Sequence, residues 1–349
     1  MSKTLTVLHV NLAKGFRGGE RQTELLIRAL SKHFKTKQLL ACRENSPLRS
    51  RLENVEGLTF VTANHQLSGH YSTPYVDVIH AHEAKAVHWA YLHKALKNTP
   101  YIITRRVDTP IKEKWFNKKT YCNASALVGI STIIANQIRN KQWGKVYQIP
   151  STLAHLETNQ KEGEAFRNTF PGKIIVGHVG ALVDKHKGQK VLIEAASLLE
   201  ESHPNLHIVF FGDGADKEEL KSLSKGNKNI TWMGFKPKIG NYLPFFDLFA
   251  FPSRNEGLGS TLLDVMDAGV PIIASNVGGI PDIVIDNETG LLVAPNDSLA
   301  LKNAIIRLSE DKELQATLVE GAKKQLENYT PQRMAERYLS LYKKIIARD

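Results

Sequence analysis

Short apolar runs recur along the whole chain at intervals that fit strands separated by helices. Leu5 to Val10 opens the series, and similar runs follow near Gln38 to Ala41, Leu58 to Thr62, Val76 to His80, Tyr101 to Thr104, Ala126 to Ile130 and Val146 to Ile149. Helical stretches separate several of them, from about Glu20 to Leu30, Glu83 to Leu96 and Thr132 to Arg139. Continuous apolar runs alternating with helices argue for parallel strands covered on both faces. After Pro150 the pattern lapses into a polar segment, Glu157 to Asn168, and restarts at Lys173 to Val179. Strands are then expected near Leu206 to Phe211, Ile230 to Met233, Leu248 to Phe251, Pro271 to Ala274 and Gly290 to Val293, with helical segments from Ser298 to Arg348. The reading is α/β, two Rossmann-like doubly wound domains, with the boundary between Pro150 and Gly172.

Size agrees with two domains, since 349 residues of which 42% are apolar can bury two ordinary cores. No apolar run approaches the roughly 18 residues needed to span a bilayer, and the polar start Met1-Ser2-Lys3-Thr4 does not read as a signal peptide. A cytoplasmic protein is expected. Two cysteines, Cys42 and Cys122, supply neither a disulfide framework nor a metal-ligand spacing and are expected as buried small hydrophobes. The net charge of +11 is uneven: residues 1–170 hold 25 Lys/Arg against 12 Asp/Glu, a balance of +13, whereas the remainder holds 21 against 23. One half is therefore expected to face an anionic partner. No nucleic-acid recognition motif accompanies this charge, so an anionic membrane or phosphorylated lipid is the partner expected.

The most informative stretch is Pro252-Ser253-Arg254-Asn255-Glu256-Gly257-Leu258-Gly259-Ser260-Thr261-Leu262-Leu263-Asp264, where an apolar strand breaks at proline and a glycine-flanked loop leads into a helix. Amides at a helix N-terminus attract phosphate, and carboxylates accept hydrogen bonds from sugar hydroxyls. An ordinary capped helix would also show this pattern. The surroundings favour the ligand site. Glu256 and Asp264 lie eight residues apart with Gly257-x-Gly259 straight after the first. Ala268-x2-Pro271 and Ala274-Ser275-x2-Gly278-Gly279-x-Pro281-Asp282 follow. Gly18-Gly19-Glu20-Arg21, Val179-Gly180 with Lys187-Gly188, Gly212-x-Gly214 and Thr289-Gly290-Leu291-Leu292 fall elsewhere in the chain.

In that order the motifs resemble retaining, nucleotide-sugar-dependent glycosyltransferases of family 4, including those of lipopolysaccharide core synthesis. The resemblance implies the GT-B architecture, two Rossmann-like domains facing across a cleft. It implies an acceptor-binding domain over 1–160, a nucleotide-sugar-binding domain over 161–330, and a C-terminal helix over 331–349 that can return to the first domain. By the same resemblance Glu256 and Lys187 would be catalytic; His82, at the end of a strand, is expected as the third catalytic residue, with a packed, hydrogen-bonded histidine as the alternative. Gly18, Gly19, Lys187, Glu256, Gly257, Leu258, Gly259, Ser260 and Asp264 would bind a UDP- or GDP-linked donor, and neither a metal nor another cofactor is expected. Two departures are visible: Ala181 stands where the family usually has arginine, which implies replacement by Lys185 or His186, a more weakly held donor or a different donor, and Asp264 stands where it usually has glutamate.

Where the family often shows histidine, this chain has Thr104-Arg105-Arg106-Val107-Asp108. Arg105 and Arg106 suit bidentate recognition of an anionic glycolipid acceptor. His80 and His82 resemble metal ligands, but only Glu83 is near to complete a set, and no Asp-x-Asp occurs. The expected function is a retaining, metal-independent glycosyltransferase at the inner face of the cytoplasmic membrane. An epimerase or sugar-phosphate synthase on the same fold and a non-catalytic glycan-binding protein stay open. The charge asymmetry makes a direct prediction: the chain binds vesicles containing anionic lipid and leaves them as salt rises, because screening shortens the reach of surface charge to about 8 Å at physiological ionic strength. Salt-independent sedimentation with the vesicles would contradict it.

Overall fold

The computed structural model describes residues 4–347, so the first three residues of the polar start and the expected helical end at Arg348 lie outside the described residues. The chain divides into two compact units, Met1–Thr152 with Tyr329–Asp349, and Leu153–Asn328.

The first unit holds a seven-stranded parallel sheet. Its strands are β1 (Leu5–Asn11), β2 (Thr36–Cys42), β3 (Leu58–Thr62), β4 (Val78–Ala81), β5 (Tyr101–Arg105), β6 (Ala126–Gly129) and β7 (Val146–Gln148). They lie in the order β3-β2-β1-β4-β5-β6-β7, the chain reversing its direction of travel across the sheet between β1 and β4. Val7, Val78, Ile102 and Ala126 from the strands pack with Leu26 and Leu30 of the helix Gly18–His33 and with Met334, Tyr338 and Tyr342 of the helix Pro331–Ile346. Burial of each large apolar side chain contributes about 1.5–3 kcal/mol. The late helix starts sharply because the Thr330 side chain caps the Arg333 amide and Pro331 occupies the first turn. The helix Ala84–Lys97 is capped by Glu83, whose carboxylate accepts from the amides of Lys85 and Ala86, and it ends at left-handed Asn98.

The second unit repeats the plan with β8 (Ile174–Val179), β9 (Leu206–Phe211), β10 (Ile230–Gly234), β11 (Leu248–Phe251), β12 (Ile272–Ser275) and β13 (Leu291–Val293). Their order is β10-β9-β8-β11-β12-β13, again with the reversal beside the first strand of the unit. Val176, Ile208, Phe210, Leu248, Ala250 and Ile273 form its strand core against Leu192, Ala196, Leu301 and Ile305 from helices. The polar segment before β8 folds as the helix Gln160–Asn168, whose Phe166 is buried.

Several expectations are corrected. The first helix begins at Gly18 rather than near Glu20, so Gly18 and Gly19 are its first two residues instead of preceding it. Cys42 is buried, and burial pushes its thiol up to about 11, but Cys122 is exposed at the end of the helix Trp115–Cys122. Among the described residues no helix is long and apolar enough to cross a membrane.

Each unit buries a histidine in its sheet. Burial lowers His9 of β1 to about 4, against a hydrogen bond with Gln38 that acts the other way, and burial lowers His178 of β8 to about 4 as well. Well above pH 6.5 both rings are neutral in folded and unfolded chains, so their contribution to stability is complete there. As pH falls from 6.5 towards 4 the unfolded chain takes up protons that the folded chain refuses, and stability drops by up to roughly 3 kcal/mol per histidine. Melting temperatures measured from pH 8 to pH 4.5 should therefore be level above 6.5 and decline below it; a profile rising on acidification would contradict this account.

Candidate functional site

In the second unit two segments meet at the carboxyl ends of β8 and β11, where open α/β sheets bind ligands. Asp184–Lys187 is a single helical turn ending at Gly188, which has φ +65°. A Cβ there would lie 2.0 Å from the Pro252 carbonyl oxygen, so glycine alone lets this turn rest on the end of β11. The His186 carbonyl accepts from the amides of Arg254 at 2.8 Å and Asn255 at 3.2 Å. The Arg254 guanidinium holds the Asp184 carboxylate at 2.5 Å. These ties bring the Lys187 ammonium onto the Glu256 carboxylate, and Ser253 Oγ donates to the same oxygen at 3.1 Å. Lys187 thus stands at the end of a helical turn, and the next helix begins at Gln189.

Glu256 is also fixed through its backbone. The Gly279 amide donates to its carbonyl at 3.0 Å, and Gly278, at φ +62°, comes so near that a Cβ would lie 2.1 Å from that oxygen. This accounts physically for the paired glycines after β12. The helix after the loop runs over Thr261–Asp267, so Gly257, Leu258, Gly259 and Ser260 all precede it. Among the described residues the amides of these four donate to no protein acceptor, leaving a short row of donors beside Glu256. Asp264 sits on the first turn of that helix, where its carboxylate accepts from the Ala154 amide at 2.9 Å. Lys185 and His186 are exposed, and the His186 carbonyl is already used. Arg254 was not singled out by the sequence, and its charge is committed to Asp184.

The first unit places its candidates at the carboxyl ends of β1, β4 and β5. His82 follows β4 directly and is buried, as are His9 and His80. Parallel register sets His9 against His80. His9 Nδ1 lies 3.0 Å from His82 Nε2, and His9 Nε2 lies 3.0 Å from Gln38 Oε1. His80 is held on both sides, Nδ1 by the Tyr342 hydroxyl and Nε2 by Thr104 Oγ1, each at 2.7 Å. Ligand atoms of the three histidines fall within 4.8 Å of one another, but the cluster does not fit a cation. Both nitrogens of His9 and of His80 are already hydrogen-bonded, and the Arg106 charge bears on His80 and His82. Glu83 is occupied in capping. Burial first, then neighbouring rings and Arg106, hold His82 well below the ordinary histidine range, so it is neutral.

Arg105 ends β5 and turns its guanidinium to the Thr109 carbonyl, so it does not join the cluster. Arg106 reaches Ser151 Oγ at 3.5 Å, while its Nε and Nη2 are buried with no partner. No carboxylate lies within ion-pair distance of Arg106 among the described residues. The position of a Cβ on Gly19 is 3.7 Å from Arg106 Cδ, so the start of the first helix lies over this arginine. Sequence reading missed His9 and Gln38, whose partners are 73 and 29 residues away; the only signal was a polar residue in each of two apolar strands.

The model of the family described as glycosyl transferases group 1 matches residues 160–325. The candidate glycosyltransferase EpsD of Bacillus subtilis is 32% identical over 165 residues, 46% of this chain and 43% of that protein, so the chain spans less than half the length of this relative. The lipopolysaccharide core biosynthesis glycosyltransferase LpsD of Rhizobium meliloti is 25% identical over 65% of this chain and 66% of its own. Among solved structures, HepE of Anabaena, in complex with UDP and glucose, superposes with a TM-score of 0.80 at 18% identity, covering 97% of this chain and 100% of that one. The chain has the two-domain α/β glycosyltransferase fold, and its residues 160–325 carry the match to glycosyl transferases group 1.

Proposed function

We propose that this protein is a retaining glycosyltransferase that moves a sugar, a hexose or a close relative, from a UDP- or GDP-sugar to an anionic cell-envelope glycolipid such as lipopolysaccharide core. The observation that carries the reading is the Lys187–Glu256 pair beside the unfilled amides of Gly257 to Ser260. Cleavage of the glycosidic C–O bond leaves positive charge on the sugar and negative charge on the diphosphate, and preorganised donors aimed at that developing charge are usually the largest catalytic term. Lys187 and the loop amides supply such donors, so we propose chemistry without a metal. Glu256 would accept hydrogen bonds from the transferred sugar and Asp264 from the ribose. Binding of donor would draw Lys187 from Glu256 towards the diphosphate, a competition that keeps the ammonium in place while the site is empty.

In the form of retention proposed here, the acceptor hydroxyl attacks the face that the diphosphate leaves. Its oxygen forms the new bond to the anomeric carbon as the old C–O bond breaks, and its proton passes to the departing phosphate oxygen. The similarity to LpsD supports a lipopolysaccharide-type acceptor. So does Arg106, because a buried guanidinium with unfilled N–H groups is costly unless an anion meets it. The basic first unit would approach an anionic membrane. Trp115, 72% exposed, and Phe116, 40% exposed, stand among Lys112, Lys114, Lys118 and Lys119 there.

A screen of UDP- and GDP-sugars with isolated lipopolysaccharide core acceptors tests the reading. Glu256→Ala should lower turnover by on the order of 10² with little change in melting temperature, as for removal of one preorganised polar contact. Lys187→Ala should weaken nucleotide-sugar binding as well, and EDTA should leave the wild-type rate unchanged. Loss of activity in EDTA, restored by Mg²⁺ or Mn²⁺, would defeat the metal-independent mechanism, and near-normal transfer by folded Glu256→Ala would defeat the site. Arg106→Gln should impair transfer to a phosphorylated or acidic acceptor while donor hydrolysis persists. If nucleotide binding is lost instead, this arginine serves the donor.

A further inference from the structure

One chain of hydrogen bonds in the first unit has a direction that can be read atom by atom. Gln38 places its side-chain nitrogen 3.0 Å from the Ile27 carbonyl oxygen and 2.8 Å from Ser31 Oγ. A carbonyl only accepts, so the amide nitrogen must face it and Oε1 must face His9. An amide oxygen also only accepts, so His9 Nε2 carries the hydrogen of that bond. His9 is neutral near pH 7, which leaves its Nδ1 a lone pair, and the hydrogen shared with His82 at 3.0 Å must therefore belong to His82 Nε2. Since His82 is neutral too, its Nδ1 is bare. That atom is buried and has no partner among the described residues.

We infer that Gln38 and His9 are positioning residues that lock His82 as its Nε2–H tautomer and hold its buried Nδ1 as a fixed acceptor for a hydroxyl group of the substrate. A buried acceptor left empty costs about 1–3 kcal/mol, and this one lies at the carboxyl end of β4, where a doubly wound sheet takes its ligands. Its character excludes an anionic oxygen as its partner, because a carboxylate or phosphate oxygen would set lone pair against lone pair. A hydroxyl fits, donating its hydrogen to His82. Arg106, whose charge bears on the same ring and whose Nε and Nη2 are unfilled, suits an anion. The two together select a ligand that carries a hydroxyl beside an anionic group, the chemistry of a sugar acid or a phosphorylated sugar. His82 is too weak a base to keep a proton, so it orients the hydroxyl and does not deprotonate it. Identifying the ligand in this way rests on the glycosyl-transfer reading; the tautomer does not.

Long-range proton–nitrogen NMR on the full chain labelled in its histidines reads the tautomer directly, with His82→Gln assigning the signals. In the wild type His82 should show a protonated Nε2 and a bare Nδ1. Gln38→Met removes the oxygen that orders the chain, so His82 should become a mixture of tautomers. kcat/KM for acceptor should then fall about tenfold, the worth of one buried hydrogen bond, with acceptor-free donor hydrolysis and nucleotide binding unchanged. His9→Phe, which keeps a ring in the space, is the second variant if Gln38→Met does not fold. Protonated Nδ1 on His82 in the wild type overturns the relay. A scrambled tautomer with undiminished transfer overturns the hydroxyl role. If no nucleotide sugar supports transfer at all, the glycosyl-transfer reading falls and the hydroxyl assignment with it, while the wild-type spectrum still decides the relay.

Discussion

A parallel sheet covered by helices on both faces leaves little room for polar chemistry in its middle, because every side chain there must be desolvated. Both units obey this constraint, and nearly all of their candidate groups sit at the carboxyl ends of strands: Lys187 and Glu256 above β8 and β11, His82 and the two arginines above β4 and β5. The glycines follow from it as well. To bring loops from different strands within hydrogen-bonding range over so narrow an edge, backbones must nearly touch, as Gly188 does at Pro252 and Gly278 at Glu256.

The two units meet the cost of burying polar groups in different ways. In the second, opposite charges are paired, Lys187 with Glu256 and Arg254 with Asp184, so each is held in place yet available to a competing ion. In the first, His9 and His80 are kept neutral and take hydroxyl and amide partners from Tyr342, Thr104 and Gln38. His82 Nδ1 is left open, and so is Arg106, half-buried with Nε and Nη2 unfilled and with the Glu20 charge bearing on it from beyond ion-pair distance. A buried donor left unfilled in this way is tolerated when a ligand completes it, which is why Arg106 weighs more in a functional reading than an exposed lysine.

Central strand positions were legible because burial on both faces writes continuous apolar runs into the sequence; Leu206–Phe211 and Leu248–Phe251, buried throughout, are found at the expected limits. Helix starts were less so. Gly18 and Gly19 look like loop residues from propensity, yet the Arg17 amide bonded to Glu20 Oε2 at 2.9 Å starts the helix before them. The Lys187–Glu256 contact was accessible through motif order, since both fall in short glycine-marked segments. The His9–Gln38–His82 relay was not, for it is made by sheet register between strands distant in sequence, and a lone polar residue in an apolar run does not announce its partner. Cys122 shows the converse error, a residue type that is usually buried but stands at an exposed helix end.

The first unit is assembled from the two ends of the chain, and its late helix Pro331–Ile346 delivers Tyr338 and Tyr342 into the core and onto the Thr104–His80 pair. During synthesis on the ribosome, domains ordinarily fold in the order in which they emerge. Here the contiguous second unit is complete before the first has received its closing helix. Until then His80 lacks its Tyr342 partner and the sheet face it belongs to lacks its cover. The strands β1 to β7 are thus made before the second unit yet reach their native packing after it, and the half-covered sheet is the species a nascent-chain chaperone would meet.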